Sequence, residues 1–337
     1  MRKLLVTGGA GFIGSNFVRM VLSEHRDSFI VNLDKLTYAG NLENLAGFEN
    51  HPNHKFIKGD ICDGKLVERL IEQYKIDAII NFAAESHVDR SIAEPKIFIE
   101  TNITGTLTLL EAARDRKLER FIQISTDEVY GALGSEGKFT EQTPLSPNSP
   151  YSASKVSADH FVKAFGHTWG LRFNITRCSN NYGEYQLPEK MIPLMINNTL
   201  NDKELPVYGD GLYVRDWLYV YDHCTAVWKV LTEAQPGEIY NIGGCNEKAN
   251  LEVIGLILER LKKPESLIKH VKDRPGHDRR YAIDATKIMT ELGWRPSVSF
   301  EQGIGKTIDW YLQNQKWLQN VVSGDYQKYY ESMYSNR

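Results

Sequence analysis

A glycine-rich turn near the amino terminus constrains the fold of this chain more than any other feature. Gly8, Gly11 and Gly14 follow a predicted strand over residues 3–7 and open a predicted helix over residues 12–23. This spacing lets the backbone approach a pyrophosphate and places that anion at a helix amino terminus, where N–H groups and the helix dipole favour negative charge. A tight β–α turn that needs positive φ would also explain the glycines. The strand–turn–helix context favours a dinucleotide site.

The first half of the chain alternates short β-rich runs with longer amphipathic stretches. Strands are predicted at residues 3–7, 29–34, 54–58, 78–82, 121–125 and 174–177, and helices at residues 12–23, 65–74, 95–113 and 151–166. Such alternation is typical of βαβ units around a parallel sheet. The sequence therefore predicts an α/β protein with a doubly wound, Rossmann-type parallel sheet.

The second half of the chain does not continue this alternation of strands and helices. After about residue 180, prolines and glycines interrupt short segments, which indicates a second, smaller mixed α/β domain. We expect a cofactor domain over residues 1–180 and a substrate domain over residues 181–337, with the chain crossing back between them. A ligand cleft is expected at their junction.

Composition excludes several classes of protein. The net charge of -3 gives no basic face of the kind that nucleic-acid binding needs. The apolar stretch at the amino terminus is too short for a signal peptide or a membrane span, so a cytoplasmic protein with no membrane partner is expected. The four cysteines lie far apart without a Cys-x-x-Cys pair, which favours buried thiols over disulfides and predicts no metal site.

An acidic residue at the end of the second predicted strand bears on the choice of dinucleotide. Asp34 lies about 20 residues beyond Gly14, the position of an acceptor for the ribose 2′-hydroxyl. A carboxylate there repels a 2′-phosphate, so NAD is favoured as the cofactor. Lys35 could accommodate that phosphate and leaves NADP as the alternative.

Two polar motifs supply candidate chemistry. Tyr151 and Lys155 lie four residues apart on one predicted helix, so the ammonium can stabilise a phenolate and bring its pKa toward neutrality. Thr126, Asp127 and Glu128 follow a predicted strand, where adjacent carboxyls can act as general acid and general base. The structural alternatives are an exposed i, i+4 Tyr/Lys pair on a structural helix and a solvated Asp-Glu turn.

These motifs resemble known families. The glycine turn and the Tyr/Lys pair are similar to the extended short-chain dehydrogenase/reductase family. Four segments resemble the dTDP-glucose 4,6-dehydratase family, and the resemblance runs nearly end to end: residues 33–41 (LDKLTYAGN), 85–91 (ESHVDRS), 125–131 (STDEVYG) and 274–281 (RPGHDRRY).

The resemblance implies a redox-neutral dehydration of dTDP-glucose. Tyr151 would remove the O4 proton while hydride passes from C4 to NAD, with Thr126 bonded to O4 and Lys155 holding Tyr151 and the nicotinamide ribose. Glu128 would then take the C5 proton, Asp127 would protonate the departing C6 hydroxyl, and the hydride would return to C6. The expected product is a 4-keto-6-deoxy sugar, and the resemblance implies a deoxysugar pathway, with rhamnose as its expected end product.

The resemblance and the motifs also assign binding residues. Cofactor contacts are expected from Gly8, Gly11, Phe12, Ile13, Gly14, Asp34, Lys35, Thr37, Asp60, Ile61, Ala83, Ala84, Ser86, Thr101, Tyr151, Lys155 and Asn181. Substrate contacts are expected from Ser86, Thr126, Asn180, Lys190, Pro206, Tyr208, Arg215, Asn250, Arg274 and His277. Within this second set, the two arginines suit a pyrophosphate and Tyr208 suits stacking on the pyrimidine.

Some points stay open. Glu184 and Leu187 stand where the family more often has proline and phenylalanine, and His87 is expected to line the site rather than to act as a base. A UDP- or GDP-sugar dehydratase, an epimerase or a decarboxylase of the same fold is the nearest alternative, and a non-catalytic dinucleotide-binding regulator is a more distant one. By analogy, a homodimer is expected to form through the helices at residues 95–113 and 151–166.

Overall fold

The computed structural model describes residues 2–273 and 277–322. Twelve strands lie in this part of the chain: β1 (Arg2–Thr7), β2 (Ser28–Asp34), β3 (His54–Lys58), β4 (Ala78–Asn81), β5 (Arg120–Thr126), β6 (Phe173–Cys178), β7 (Asn180–Tyr182), β8 (Leu205–Tyr208), β9 (Val214–Tyr219), β10 (Ile239–Ile242), β11 (Glu247–Ala249) and β12 (Ile268–Val271).

Twelve α-helices accompany these strands in the same described residues. They are α1 (Phe12–Glu24), α2 (Gly64–Tyr74), α3 (Val88–Ala93), α4 (Pro95–Phe98), α5 (Thr106–Asp115), α6 (Pro150–Trp169), α7 (Met191–Leu200), α8 (Val220–Glu233), α9 (Asn250–Leu261), α10 (Thr286–Glu291), α11 (Phe300–Gln313) and α12 (Gln315–Val321). A π-helical segment (Ile99–Gly105) joins α4 to α5, and a short 3-10 helix (Asp127–Tyr130) follows β5.

The large sheet confirms the predicted doubly wound fold. Across the described residues, seven strands lie in the order β3-β2-β1-β4-β5-β6-β10, and every neighbouring pair is parallel. Buried apolar side chains cover both faces, as a parallel sheet requires. The strand order reverses between β1 and β4, and a crevice for ligands is expected at the carboxyl ends of such strands.

The second half builds a smaller layer beside this sheet. β11, β9 and β7 form a three-stranded sheet, while β12 pairs with β8. A separate apolar core, which includes Tyr182, Trp217, Phe300 and Tyr311, holds these strands against α7, α9 and α11. β10 comes from the second half of the chain and yet belongs to the large sheet. The boundary near residue 180 stays a prediction.

The helix predicted at residues 95–113 is interrupted. It consists of α4, the π-helical segment and α5, and π-helical turns are frequent at functional sites. Asn102, within the π-helical segment, accepts a hydrogen bond from Glu85 N at 2.9 Å and donates to Ser154 Oγ at 2.8 Å. The periodicity of apolar residues does not show that a polar side chain bonds to two distant segments. The interruption of the helix was therefore not predicted.

The start of α6 has a clear local cause. Ser149 Oγ accepts the N–H of Ser152 at 3.1 Å, and Ser152 Oγ accepts the N–H of Ser149 at 3.0 Å. Pro150 occupies the first helical turn, where it has no N–H to lose. This reciprocal cap fixes where the helix begins and therefore where Tyr151 lies.

The described residues contain no helix that is both long and apolar enough to cross a membrane.

Candidate active site

A cleft runs along the carboxyl edge of the large sheet. The turns that follow β1 to β6 all contribute to its lining. All predicted catalytic and cofactor residues line it: Gly8, Gly11, Phe12, Ile13, Gly14, Asp34, Lys35, Thr37, Asp60, Ile61, Ala83, Ala84, Ser86, Thr101, Thr126, Asp127, Glu128, Tyr151, Lys155 and Asn181. The fold thus brings together residues that lie up to about 170 positions apart in sequence, as the carboxyl edge of a doubly wound sheet does.

The glycine turn leaves no space for side chains. Gly8 has a φ of +69°, and a Cβ there would lie 2.6 Å from Ala83 N. A Cβ on Gly14 would lie 2.2 Å from Gly8 O. Gly11, the N-cap of α1, supplies no side-chain hydrogen bond to the helix. The resulting backbone cradle at a helix amino terminus fits the pyrophosphate of a dinucleotide.

Asp34 is held rigidly at the end of β2. Its Oδ2 accepts the N–H of Ala10 at 2.9 Å and its Oδ1 accepts the N–H of Leu36 at 2.8 Å. Burial raises the pKa of Asp34, and these two backbone hydrogen bonds oppose the rise. A carboxylate has about four acceptor sites, so the fixed side chain can still accept ribose hydroxyls.

The predicted acid and base lie at the end of β5. Thr126 caps the 3-10 helix, because its Oγ1 accepts the N–H of Glu128 at 3.3 Å. This cap places Asp127 and Glu128 side by side at the sheet edge. Asp127 is 2% exposed, and its Oδ2 has no hydrogen-bond partner among the described residues.

The environment of Asp127 favours the protonated carboxyl. Burial raises its pKa well above the usual value, and the charges of Glu128 and Asp216 raise it further. The opposing effects of Arg215 and Thr126 are smaller. A raised pKa suits a general acid, which must hold a proton before it can donate it.

The structure corrects one expectation about Tyr151. Its pKa is raised, not lowered, because burial and the charge of Glu128 disfavour the phenolate. Lys155 Nζ instead donates to the carbonyl oxygen of Ile124 at 2.6 Å. Burial lowers the pKa of Lys155, and the charge of Asp159 opposes that effect. Contact with the Thr126 hydroxyl is the effect that lowers the pKa of Tyr151.

The predicted substrate residues fall into two groups. Ser86, Thr126, Asn180 and Lys190 line the cleft, and Lys190 Nζ donates to Ser86 O at 2.8 Å. The second group, Pro206, Tyr208, Arg215, Asn250 and His277, lies in the smaller layer and does not line the cleft. Arg274 lies outside the described residues.

Members of the second group lie close to one another. The rings of Tyr208 and His277 are 5.9 Å apart, edge to face, and the His277 ring stacks on Tyr213 at 3.8 Å. Asn250 N donates to Tyr213 O at 3.0 Å. Arg215 Nη2 donates to Asp278 O at 2.8 Å. The positive charge of Arg215 also acts on Asp127, where it opposes the rise in pKa. This group therefore continues from the catalytic end of the cleft into the smaller layer.

Several cleft residues were not predicted. Glu85 and Glu189 are carboxyls whose pKa values burial raises, and Cys178 lies beside Asp127 and Lys155. The signal for the two acids was their position next to the predicted Ser86 and Lys190. Cys178 ends a strand that was predicted to stop one residue earlier.

The unusual loop residues have defined positions. Leu187 lines the cleft, whereas Glu184 Oε1 accepts a hydrogen bond from the Tyr219 hydroxyl at 2.5 Å. His87 is 6% exposed, and its Nε2 lies 3.3 Å from Glu189 O. The described residues contain no cluster of three His, Cys, Asp or Glu side chains that could hold a metal ion.

This fold and site define a class of enzyme, the extended short-chain dehydrogenases/reductases that dehydrate nucleotide sugars. A family model described as GDP-mannose 4,6 dehydratase matches residues 5–307. The dTDP-glucose 4,6-dehydratase of Xanthomonas campestris pv. campestris (strain B100) is 57% identical, with 97% of each chain covered. The chain belongs to the dTDP-glucose 4,6-dehydratase family.

Solved structures agree with this assignment. A dTDP-glucose 4,6-dehydratase from Bacillus anthracis, in complex with NAD, has a TM-score of 0.90 and 51% identity, covering 95% of this chain and 100% of that one. A dTDP-glucose 4,6-dehydratase from Streptomyces venezuelae, with NAD and TYD bound, has a TM-score of 0.92 and 49% identity, covering 95% and 99%.

Proposed function

We propose that this protein converts dTDP-glucose to dTDP-4-keto-6-deoxyglucose and water, with NAD as a cofactor that is regenerated in each turnover. The observation that carries the proposal is the buried Asp127 beside Glu128 at the end of β5, in the same cleft as the glycine cradle, where burial raises the pKa of Asp127. A neutral acid next to a second carboxyl is the arrangement that an elimination of water requires. The relatives named above support the choice of sugar nucleotide.

The cradle of Gly8, Gly11 and Gly14 and the fixed carboxylate of Asp34 would hold the NAD pyrophosphate and adenosine ribose. When bound, NAD supplies the acceptor for the C4 hydride and returns that hydride to C6. Tyr151 removes the proton from O4, and Thr126 donates a hydrogen bond to the same oxygen. Tyr151 acts as its phenolate, which the positive charge of Lys155 stabilises, and it becomes the neutral phenol when it takes the O4 proton.

Asp127 and Glu128 carry out different parts of the elimination of water. Oxidation at C4 acidifies the C5 proton, which Glu128 takes as general base. Asp127 gives its proton to the C6 hydroxyl, which leaves as water. When hydride adds to C6, C5 takes back a proton from Glu128, which completes the 4-keto-6-deoxy sugar. Burial favours the protonated form of Asp127, which lessens its share of the negative charge that disfavours the Tyr151 phenolate.

The second group of residues, from Pro206 to His277, would hold the nucleotide. Arg215 presents a planar guanidinium that suits pyrophosphate oxygens, and Tyr208 offers a ring for the pyrimidine. The group lies beyond the catalytic end of the cleft, so a sugar between them would reach Thr126, Asp127 and Glu128. Arg274 is proposed on the family resemblance alone.

The test is direct. Purified protein is incubated with dTDP-glucose without added reductant, and the 4-keto product is followed by its alkali-induced absorbance and by the loss of water in mass spectrometry. UDP-glucose and GDP-mannose are assayed in parallel. Turnover of dTDP-glucose alone supports the proposal. Water loss from another sugar nucleotide reassigns the protein to a sister dehydratase, and C4 inversion without water loss reassigns it to the epimerases.

We also propose a cytoplasmic homodimer that acts in deoxysugar synthesis, with rhamnose as the expected end product. Ile99 in the π-helical segment is 53% exposed and Phe161 on α6 is 38% exposed. These apolar side chains lie on the helices at residues 95–113 and 151–166, through which pairing is expected. Large exposed apolar side chains on adjacent helices favour an interface.

A further inference from the structure

A fully buried ion pair lies behind the catalytic residues. Arg177 on β6 is 2% exposed and its Nε lies 3.0 Å from Oδ2 of Asp159, which is 0% exposed. Neither residue lines the cleft. Buried ion pairs contribute little net stability, because apolar residues of similar size often replace them without loss. Stability alone therefore does not account for this pair.

The guanidinium of Arg177 joins the two elements that carry the chemistry. Nε donates to Asp159 on α6, the helix of Tyr151 and Lys155. Nη1 donates to the Tyr130 hydroxyl at 3.1 Å, and the guanidinium carbon lies 5.0 Å from the centre of the Tyr130 ring. Tyr130 ends the 3-10 helix that begins at Asp127.

The connection continues into the large sheet. The Tyr130 hydroxyl donates to Asn241 Oδ1 at 2.7 Å, and Asn241 lies on β10. Asn241 Nδ2 donates in turn to Phe139 O at 3.1 Å. α6, the 3-10 helix, β6 and β10 are therefore held by one continuous polar network with Arg177 at its centre.

Asp159 is also placed to act on Lys155. The two residues are four positions apart on α6 and thus share one helical face. Burial lowers the pKa of Lys155, and the charge of Asp159 is the main effect that opposes it. The titratable groups that act on Lys155 come from two elements, Asp159 of α6 and Cys178 of β6, and both favour the charged ammonium. Asp159 is in turn paired with Arg177, and the thiol of Cys178 feels the charge of Asp127.

We propose that Arg177 and Asp159 are positioning residues for the dehydration. The guanidinium fixes the distance between Tyr151 on α6 and the Asp127–Glu128 acid pair, and the Asp159 carboxylate keeps Lys155 charged. The inference rests on the proposed function, because it assigns these residues to the chemistry of that same site.

The test replaces both charges together, with Asp159→Leu and Arg177→Met in one chain. Apolar residues of similar size should preserve folding. We expect kcat for dTDP-glucose to fall about 10- to 100-fold, as small displacements of catalytic groups do, with less than about a 3-fold change in KM. The alkaline limb of the kcat–pH profile should move about one unit to lower pH, because Lys155 loses its nearby carboxylate.

Asp159→Asn provides a second variant that keeps the hydrogen bond to Arg177 and removes only the charge. It should show the same shift of the alkaline limb with a smaller loss of kcat. The control is the exposed pair of Arg260 and Asp309, whose Nη2–Oδ1 distance is 2.8 Å. Replacing it with Met and Leu should leave kcat and the pH profile unchanged.

Two outcomes would overturn the inference: a folded double variant with wild-type kcat and pH profile, or an Asp159→Asn variant whose alkaline limb stays in place. If the wild-type protein itself fails to dehydrate dTDP-glucose, the proposed function fails instead. The wild-type assay distinguishes the two cases.

Discussion

Lys35 Nζ lies 2.7 Å from Asp60 Oδ2, so the cation beside Asp34 has a carboxylate partner of its own. The hydrogen bond to Asp60 raises the pKa of Lys35 and keeps it charged. Asp60 was expected to contact the cofactor, and its ion pair with Lys35 also competes with a role of Lys35 as a phosphate ligand. This relationship favours NAD over NADP, because Asp34 repels a 2′-phosphate while Asp60 neutralises the nearest cation.

Cofactor choice is therefore the first property to test. Asp34→Ser together with Asp60→Asn removes the repelling carboxylate and releases Lys35. We expect the ratio of NADP-supported to NAD-supported activity to rise about 10-fold or more, the effect of one charge-assisted hydrogen bond. Cofactor-stripped protein reconstituted with each dinucleotide gives the ratio. Asp115→Asn, at an exposed carboxylate far from the cleft, should leave it unchanged.

Substitution of Asp127 and substitution of Glu128 should block different steps of the reaction. Asp127→Asn cannot donate a proton, so water loss should slow by about 10²- to 10⁴-fold while the C5 proton still exchanges with solvent. Glu128→Gln lacks the base, so both C5 exchange and water loss should stop. Incubation in deuterium oxide with mass spectrometry of the sugar separates the steps. Equal loss of C5 exchange in both variants would contradict the assigned roles.

Asp127→Asn should also stabilise the fold at neutral pH. The pKa of Asp127 is raised in the folded state, so the folded protein binds the proton more tightly, and stability falls as pH rises above the unfolded value of 3.8. An amide has no proton to lose, and the free energy of unfolding at pH 7 should rise by about 1–3 kcal/mol. Urea unfolding at pH 7 and pH 3.5 measures this, and the gain should vanish at the lower pH.

The large sheet was predictable because its signals are local. The first six strands are short β-rich runs between turn residues, and β3 (His54–Lys58) was predicted with the observed limits. The interruption at Asn102 was not predicted, and the expected crossing of the chain back to the first domain was not assigned to β10. Both depend on contacts with distant segments, which leave no periodic signal in the residues themselves.

The cleft was predictable for a similar reason. Residues at the carboxyl ends of parallel strands must meet at one sheet edge, so Asp34 and Thr126 could be placed together from the strands that they end, whereas Asn181 was assigned from the family resemblance. The raised pKa of Tyr151 could not, since it depends on burial and on the charge of Glu128. The pairing of Arg177 with Asp159 was also invisible, because 18 residues separate them and neither belongs to a motif.

The glycine cradle can be tested with matched substitutions. At Gly14 a Cβ would meet Gly8 O at 2.2 Å, which is backbone that cannot move aside cheaply. Gly14→Ala should therefore destabilise the protein by about 1–3 kcal/mol and release NAD on purification. At Gly255 in α9 a Cβ meets nothing within 4 Å, so Gly255→Ala should stabilise by about 0.5–1 kcal/mol. Thermal unfolding and bound-dinucleotide content distinguish the two.

The proposed dimer interface can be tested at two exposed apolar side chains. Ile99 and Phe161 are exposed on neighbouring helical segments, and burial of both in a partner would remove apolar surface from water. Changing both to Glu should place charges in that interface and yield a monomer by light scattering, since an unpaired buried charge costs several kcal/mol. Leu312→Glu, at a side chain that is 41% exposed on α11, is the control and should keep the wild-type mass. An unchanged mass for the double variant would show that pairing does not use this face.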